Sequence, residues 1–343
     1  MKQKRIIDID ILRTLIIFSA LLLHFNSKIF ISFLSIPSIA VQKYIFTVGG
    51  FFFFTAGYMA RKVYLDRYLE NPKFHSKIIF IKGVKIISIY IIYIFFMRIF
   101  TNTDIPRDII PFLFYHKFFT KVLFTFGLLY MITPLFLFVV TNHKNLSIIT
   151  LVIFAFFVVL YDSQWSMPYS FKILMIDRLL FPYPLLPSIV VYAIGFTISN
   201  IEINYNRDIF SLRMTLFIIT VICIHLFLSR KVPPYSELVH NRQYFTLVES
   251  ITPYMAIIAV RYLTSINSIY KYLSTPYVLC TGILSLHFYV ISSLLLGLSS
   301  LSKESEPGVK LLGFLGICSL SYMFTFWRFG SIYDTKSLTR RST

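Results

Sequence analysis

Residues 121–141 read KVLFTFGLLYMITPLFLFVVT, and after Lys121 no lysine, arginine, aspartate or glutamate follows until Lys144. A helix needs about 20 mostly apolar residues to cross the hydrocarbon core of a bilayer, so this run predicts a spanning helix. Similar runs recur near 11–31, 44–63, 78–100, 146–161, 183–200, 209–228, 245–263, 276–299 and 309–328 of the 343-residue chain. Together they predict an all-α integral membrane protein: about ten transmembrane helices in one bundle with short loops, forming one domain over 1–343. The run at 146–161 is short, which suits a tilted or partly re-entrant helix.

Composition agrees. Apolar residues make up 57% of the chain and charged residues 14%, against about a quarter charged in soluble domains. The formal charge of +18 would suggest nucleic acid in a soluble protein. Here many basic residues sit in short links between apolar runs, where they set topology, and no nucleic-acid motif is present. Cys223, Cys280 and Cys318 lie in separate apolar runs with no Cys-x-x-Cys pair, so neither a zinc site nor a disulfide framework is indicated. The stretch Met1–Leu23 has the basic start of a signal peptide, but Arg13 interrupts it and no small-x-small site follows. It reads as an uncleaved first helix.

The links carry turn chemistry: Asn71-Pro72, Asn102 to Pro106, Asn142 to Asn145, and Val232-Pro233-Pro234. The densest basic link is 61–85, with Arg61, Lys62, Arg67, Lys73, Lys77, Lys82 and Lys85. An even helix count puts it on one side with Lys2, Lys4 and Arg5 at the start and Arg328, Lys336, Arg340 and Arg341 at the end. By the positive-inside rule that side is the cytoplasm and both termini lie there, in a cell membrane. The other side carries Arg107, Lys117, Arg178, Arg230 and Arg242.

Ionisable groups inside spanning helices are expensive and usually mark a pathway or a site. The first run holds Asp10, Arg13 and His24. Eleven helical steps separate Arg13 from His24, which leaves them about 20° apart on one face and about 16 Å apart along the axis. Asp10 stands three residues before Arg13, within pairing reach. Two readings stand. In one, Arg13 holds an anion or orients a carboxylate, and His24 takes a proton from a hydroxyl. In the other, Arg13 snorkels to the interface and His24 is inert near the far headgroups.

These residues resemble the opening of the membrane-bound acyltransferase-3 family, which begins with Asp-x-x-Arg and a first-helix histidine: here Asp10, Arg13 and His24. Gly50 to Tyr58, reading GFFFFTAGY, resembles the family's second-helix Phe-Phe…Ser-Gly-Phe element. Phe126 to Pro134 resembles a later segment ending in Tyr-x3-Pro, with Tyr130 as its tyrosine. Phe181-Pro182 through Pro187, then Tyr192 to Gly195, and Leu284 to Phe288 with His287, resemble later segments. Three positions depart from the pattern. Lys82-Gly83-Val84-Lys85 stands where Arg-Arg-x-x-Arg is common, and lysine lacks the planar bidentate grip on phosphate. Ala56 replaces the serine, with Thr55 beside it. A tryptophan common in the Tyr-x3-Pro segment is replaced by Thr125-Phe126-Gly127.

The resemblance implies acyl transfer from acyl-CoA, acetyl-CoA in the simplest case, to a hydroxyl of a cell-surface glycan or polysaccharide precursor. His24 would be general base or transient acyl carrier. Arg13, Lys82 and Lys85 would engage phosphate or the pantetheine arm. Thr55 or Tyr58 would donate to the developing oxyanion. Tyr130 and His287 would line the substrate site, and no metal is called for. The rival class is a polysaccharide or small-molecule transporter or flippase, for which the same hydropathy serves. Asp8-Ile9-Asp10 has a metal-binding form but enters a helix. His287 is equally well a structural residue, His225 reads as structural, Glu249 begins an apolar helix where it could face a cavity, and Trp165 and Tyr169 stack on a sugar or simply sit at an interface.

Overall fold

The computed structural model describes residues 7–25, 50–100, 121–142, 185–205, 242–299 and 306–332, and every element among them is a helix. The runs read at 146–161 and 209–228 lie outside the described residues. So do Cys223, His225, Trp165, Tyr169 and the segments 26–31 and 44–49 of the first two runs. Backbone packing divides the chain into two compact units: Met1–Val48, Ile91–Thr120 and Ala259–Thr343 form the first, Gly49–Tyr90 and Lys121–Ile258 the second.

In the first unit, α1 (Ile7–Phe25) opens with Asp8 and Asp10, whose charges suit the positive end of the helix dipole. It packs against a helix that the sequence reads as one piece over 276–299. The chain instead forms α8 (Pro276–Ile283) and α9 (Ser285–Leu298), bent by 81° at Leu284. The break lies two residues beyond a close contact with α1. Gly282 lies so close to α1 that a side chain there would collide with the Asp10 carbonyl, and glycine is a weak helix former. Leu284 still donates to the Cys280 carbonyl (2.9 Å) and accepts from the Phe288 amide (3.0 Å), so both halves end in satisfied bonds. The last helix, α10 (Pro307–Ile332), packs on α8 and α9. Its outer face bears Leu312, Met323 and Trp327 at 71, 64 and 73% exposure.

In the second unit, α2 (residues 50–70) contains a π-helical turn, Ala60–Leu65. It stops at Asn71, whose side chain accepts the Phe74 amide (3.2 Å) and so caps α3 (Pro72–Phe100). Proline at the first helical position needs no N–H partner. The connection expected between the runs 44–63 and 78–100 is therefore helical except at Asn71. Helix α3 runs antiparallel to α4 (Lys121–Asn142): Gly83 meets Gly127 and Met131, and further along Tyr90 meets Phe124. Helix α5 (Leu185–Tyr205) runs parallel to α2. Residues 54 and 57 meet 195 and 192, and further along both chains Arg61 meets Asn200. Side chains on Gly57 or Gly195 would collide with the Tyr192 or Phe54 carbonyl, the small-residue contact by which membrane helices approach closely. Helix α6 (Arg242–Ser265) runs into both units, and α7 (Asn267–Leu273) follows it.

Among the described residues, three helices, Pro72–Phe100, Lys121–Thr141 and Gly308–Gly330, are long and apolar enough to cross a membrane, and the bent α8–α9 pair makes a fourth if taken as one span. Helix α1 carries Asp8, Asp10 and Arg13 within 19 residues, a charge load that such a span rarely bears. Gly57→Ala and Gly195→Ala should each cost about 1–3 kcal/mol through overpacking and lower the melting temperature in detergent. Gly316→Ala, with nothing within 4 Å of the added carbon, should be neutral or slightly stabilising. Equal melting temperatures for all three variants would contradict the close α2–α5 contact.

Candidate functional site

The residues singled out in the sequence fall into two groups. Asp10, Arg13, His24 and His287 belong to the first unit; Thr55, Tyr58, Lys82, Lys85 and Tyr130 belong to the second.

Helix α1 positions the first group. Arg13 and His24 are each half-buried, on the side of the helix where Ile9, Ile17 and Ala20 are 0, 1 and 4% exposed. Leu15 and Leu22, about half a turn away, are 49 and 42% exposed. The Arg13–His24 stripe therefore faces protein, and the leucines take the place expected of lipid-facing groups. His24 lies in the last turn of α1 with its ring 6.3 Å from that of Tyr289 on α9. Phe18 packs against Phe288 at 5.0 Å. Asp10 is buried. The ion pair at this end of α1 runs from Asp8 to Arg261 at 3.7 Å, with Thr264 donating to Asp8 at 3.1 Å. Asp8 is thereby tied to α6.

Between α1 and α8 lies a small hydroxyl network. Thr281 donates to Thr14 Oγ1 (3.2 Å), and Thr14 reaches the carbonyls of Asp10 and Val278 (both 3.0 Å). It fastens the two helices where Gly282 brings them together. His287 stands in the first turn of α9, just past the bend, and its Nδ1 is buried with no hydrogen-bond partner among the described residues. Among the described residues no three His, Cys, Asp or Glu side chains gather as a metal site.

The second group is organised by the π turn. Arg61, 7% exposed, donates through Nε to Asn200 Oδ1 at 2.7 Å, and its Nη1 lies 3.4 Å from Asp66. Lys62 lies 5.0 Å above the Tyr58 ring, and Tyr58 is fully buried. Lys82 donates to the Tyr64 hydroxyl at 3.2 Å and lies 5.0 Å from its ring centre. Tyr64 meets Tyr130 edge-on at 6.2 Å. Tyr192 bonds Thr133 at 2.9 Å and stacks edge-on with Phe136. Thr55 donates to the Phe51 carbonyl at 2.8 Å, so its one proton is held inside its own helix. Lys85 is exposed, one turn beyond Lys82.

Sequence reasoning passed over Tyr64, Asn200, Arg261 and Tyr289, and took Tyr192 only as part of a segment. None of the first four sits in a recognisable motif, and only the pairing of helices brings them to their partners. Arg61 was legible only as one charge in a basic link. Comparison with family models, curated proteins and solved structures yields no match.

The Arg61–Asn200 bond is a part-buried polar tie of the second unit, whereas Asp66 is solvent-exposed, where ion pairs contribute little. Asn200→Ala should cost about 1–3 kcal/mol by stranding the guanidinium. The double variant Arg61→Met/Asn200→Leu should melt closer to wild type than Asn200→Ala. Additive losses in the double variant would count against the bond.

Proposed function

We propose that the chain is a multi-pass membrane O-acyltransferase of about ten spans, moving an acyl group from acyl-CoA, acetyl-CoA in the simplest case, to a hydroxyl of a cell-surface glycan. The observation that carries the reading is the protein-facing stripe of α1, with Arg13 and His24 half-buried on one side and Leu15 and Leu22 exposed on the other. A polar stripe turned toward protein fits a site better than it fits snorkelling to lipid headgroups.

In the chemistry proposed, His24 accepts the proton of the acceptor hydroxyl. The oxygen attacks the thioester carbonyl, the carbon–sulfur bond breaks, and the CoA sulfur leaves with the proton returned by His24. Arg13 pairs with an anionic part of a substrate. With the Thr55 proton committed to Phe51 and Tyr58 fully buried, neither is kept here as oxyanion donor. Tyr289, whose ring lies 6.3 Å from that of His24, neighbours the proposed base.

The direction of the helices supports the span count. Helices α2 and α4 both run opposite to α3, and α5 runs parallel to α2. A chain that threads α4 and α5 through one bilayer in the same direction must return between Asn142 and Leu185, and the apolar run 146–161 is placed to do so. With ten spans, both termini lie on the cytoplasmic face of the cell membrane.

One observation favours a transporter as the second reading. The 81° break between α8 and α9 resembles the discontinuous helices that form binding sites in transporters. The two readings separate in an assay of CoA release from acetyl-CoA by purified protein in nanodiscs. His24→Ala should lose about 100-fold or more of the release while eluting as wild type. Arg13→Ala should raise the KM for the donor more than that for the acceptor. Undiminished release in His24→Ala would remove the mechanism. Solute exchange across vesicles without any CoA release would establish the transporter.

A further inference from the structure

We infer that the link between α6 and α8, with α7 (Asn267–Leu273) at its centre, lies in the headgroup layer of the membrane and takes anionic lipid there through Lys271. The inference rests on the reading of α10 as a membrane span and is independent of acyl transfer. Contacts within the first unit fix the level. Tyr277, at the start of α8, stacks on Phe326 at 5.3 Å, and its carbonyl accepts from the Tyr322 hydroxyl at 2.9 Å. Phe326 stands four residues, about 6 Å, from the end of the apolar stretch Gly308–Gly330. Tyr277 is therefore close to the level where hydrocarbon gives way to headgroups. At the other end of the link, Arg261 pairs with Asp8 at 3.7 Å and Thr264 donates to Asp8 at 3.1 Å, beside the start of α1. Both ends of the link are thereby held near one end of the first unit.

The residues of the link suit that layer. No residue from 262 to 277 is buried. Tyr262, Tyr272 and Tyr277 are 71, 71 and 65% exposed, and Leu263 and Ile266 are each 40% exposed. So much contiguous apolar surface is unusual against water, whereas tyrosine, with an apolar ring and a polar tip, is enriched where hydrocarbon meets headgroups. The link also keeps its own polar groups occupied, as a water-poor layer demands. The amides of Ile266, Tyr270, Ser274 and Thr275 donate to the carbonyls of Leu263, Ile266, Tyr270 and Tyr272 at 3.2, 2.9, 2.8 and 3.3 Å. The hydroxyls of Ser265 and Thr275 donate to the carbonyls of Tyr262 and Tyr272 at 2.6 and 2.9 Å.

Charge completes the match. No aspartate or glutamate occurs between Glu249 and Glu304. Arg261 is opposed by Asp8, which leaves Lys271, exposed on α7, as the one charge of residues 262–277. An anionic headgroup supplies the counter-charge that the link lacks. Under the proposed orientation this end of the unit faces the cytoplasm, the side whose leaflet carries anionic lipid.

The test uses the full chain in nanodiscs, with Trp165→Phe and Trp327→Phe removing both native tryptophans, so that one introduced tryptophan reports alone. Tyr272→Trp is compared with Leu320→Trp, a position 46% exposed near the middle of α10. The quenchers are lipids brominated either close to the headgroup or at the chain end, and acrylamide in the water. Tyr272→Trp should be quenched more strongly by the headgroup-proximal bromine, and Leu320→Trp more strongly by the chain-end bromine. Quenching of Tyr272→Trp by acrylamide alone, with Leu320→Trp still answering to the chain-end bromine, would overturn the headgroup position and leave α10 in the membrane. Acrylamide quenching at both positions would overturn the reading of α10 as well. Brominated phosphatidylglycerol should quench Tyr272→Trp about fivefold more effectively than brominated phosphatidylcholine, the preference expected of one lysine at a membrane surface. Lys271→Gln should abolish that preference. Equal quenching by the two lipids, or a preference unchanged by Lys271→Gln, would overturn the lipid site.

Discussion

The constraint on which the rest depends is the absence of charge from α4. Nineteen successive residues, 122–140, carry no charged side chain, and a helix satisfies its own backbone, as hydrocarbon demands. Once α4 is placed in lipid, its neighbours are placed with it, because the contacts that register them are backbone-close. Gly83 and Gly127 fix α3 against α4. Gly57 and Gly195 fix α2 against α5. Lipid supplies no hydrophobic drive between helices, so such small-residue contacts and a few polar ties carry the specificity. The Arg61–Asn200 bond is one tie, and the Thr14–Thr281 hydroxyls of the first unit are another.

A glycine also stands beside the sharpest irregularity. Gly282 brings α8 against the backbone of Asp10, and two residues later the helix breaks and turns by 81°. The break puts His287 in the first turn of a new helix, where a straight helix would have left it in the interior. In the second unit the π turn shifts the register of α2 so that Arg61 reaches α5 while Tyr64 reaches α3.

Much of the helical layout was legible in the sequence. The run at 121–141 became Lys121–Asn142, 183–200 became Leu185–Tyr205, 245–263 became Arg242–Ser265 and 309–328 became Pro307–Ile332. The Asn71-Pro72 turn was also legible, since asparagine caps and proline starts helices. Hydropathy could not show the break at Leu284, because both halves are apolar and the close contact at Gly282 is tertiary. Nor could it show that the basic connection 64–77 is helical but for Asn71, since charge is compatible with helix as well as loop. Of the candidate site, the shared face of Arg13 and His24 followed from helical periodicity. That the face turns toward protein required the exposures of Leu15 and Leu22. The partners Tyr64, Asn200, Arg261 and Tyr289 are fixed by helix pairing alone, which one sequence does not display.

The most direct test of the account is the depth of Leu135, which is 64% exposed on α4 and about 6 Å along the axis from Met131. A spin label at Leu135→Cys, in a variant free of the native cysteines and reconstituted in a bilayer, reports depth through its relative relaxation by oxygen and by a water-soluble nickel chelate. Strong oxygen relaxation with little effect of the chelate is the predicted result, and it would keep α4 as the membrane-centred reference for its neighbours. Relaxation dominated by the chelate would put this half of α4 in water, and with it the part of α3 packed against it at Gly83.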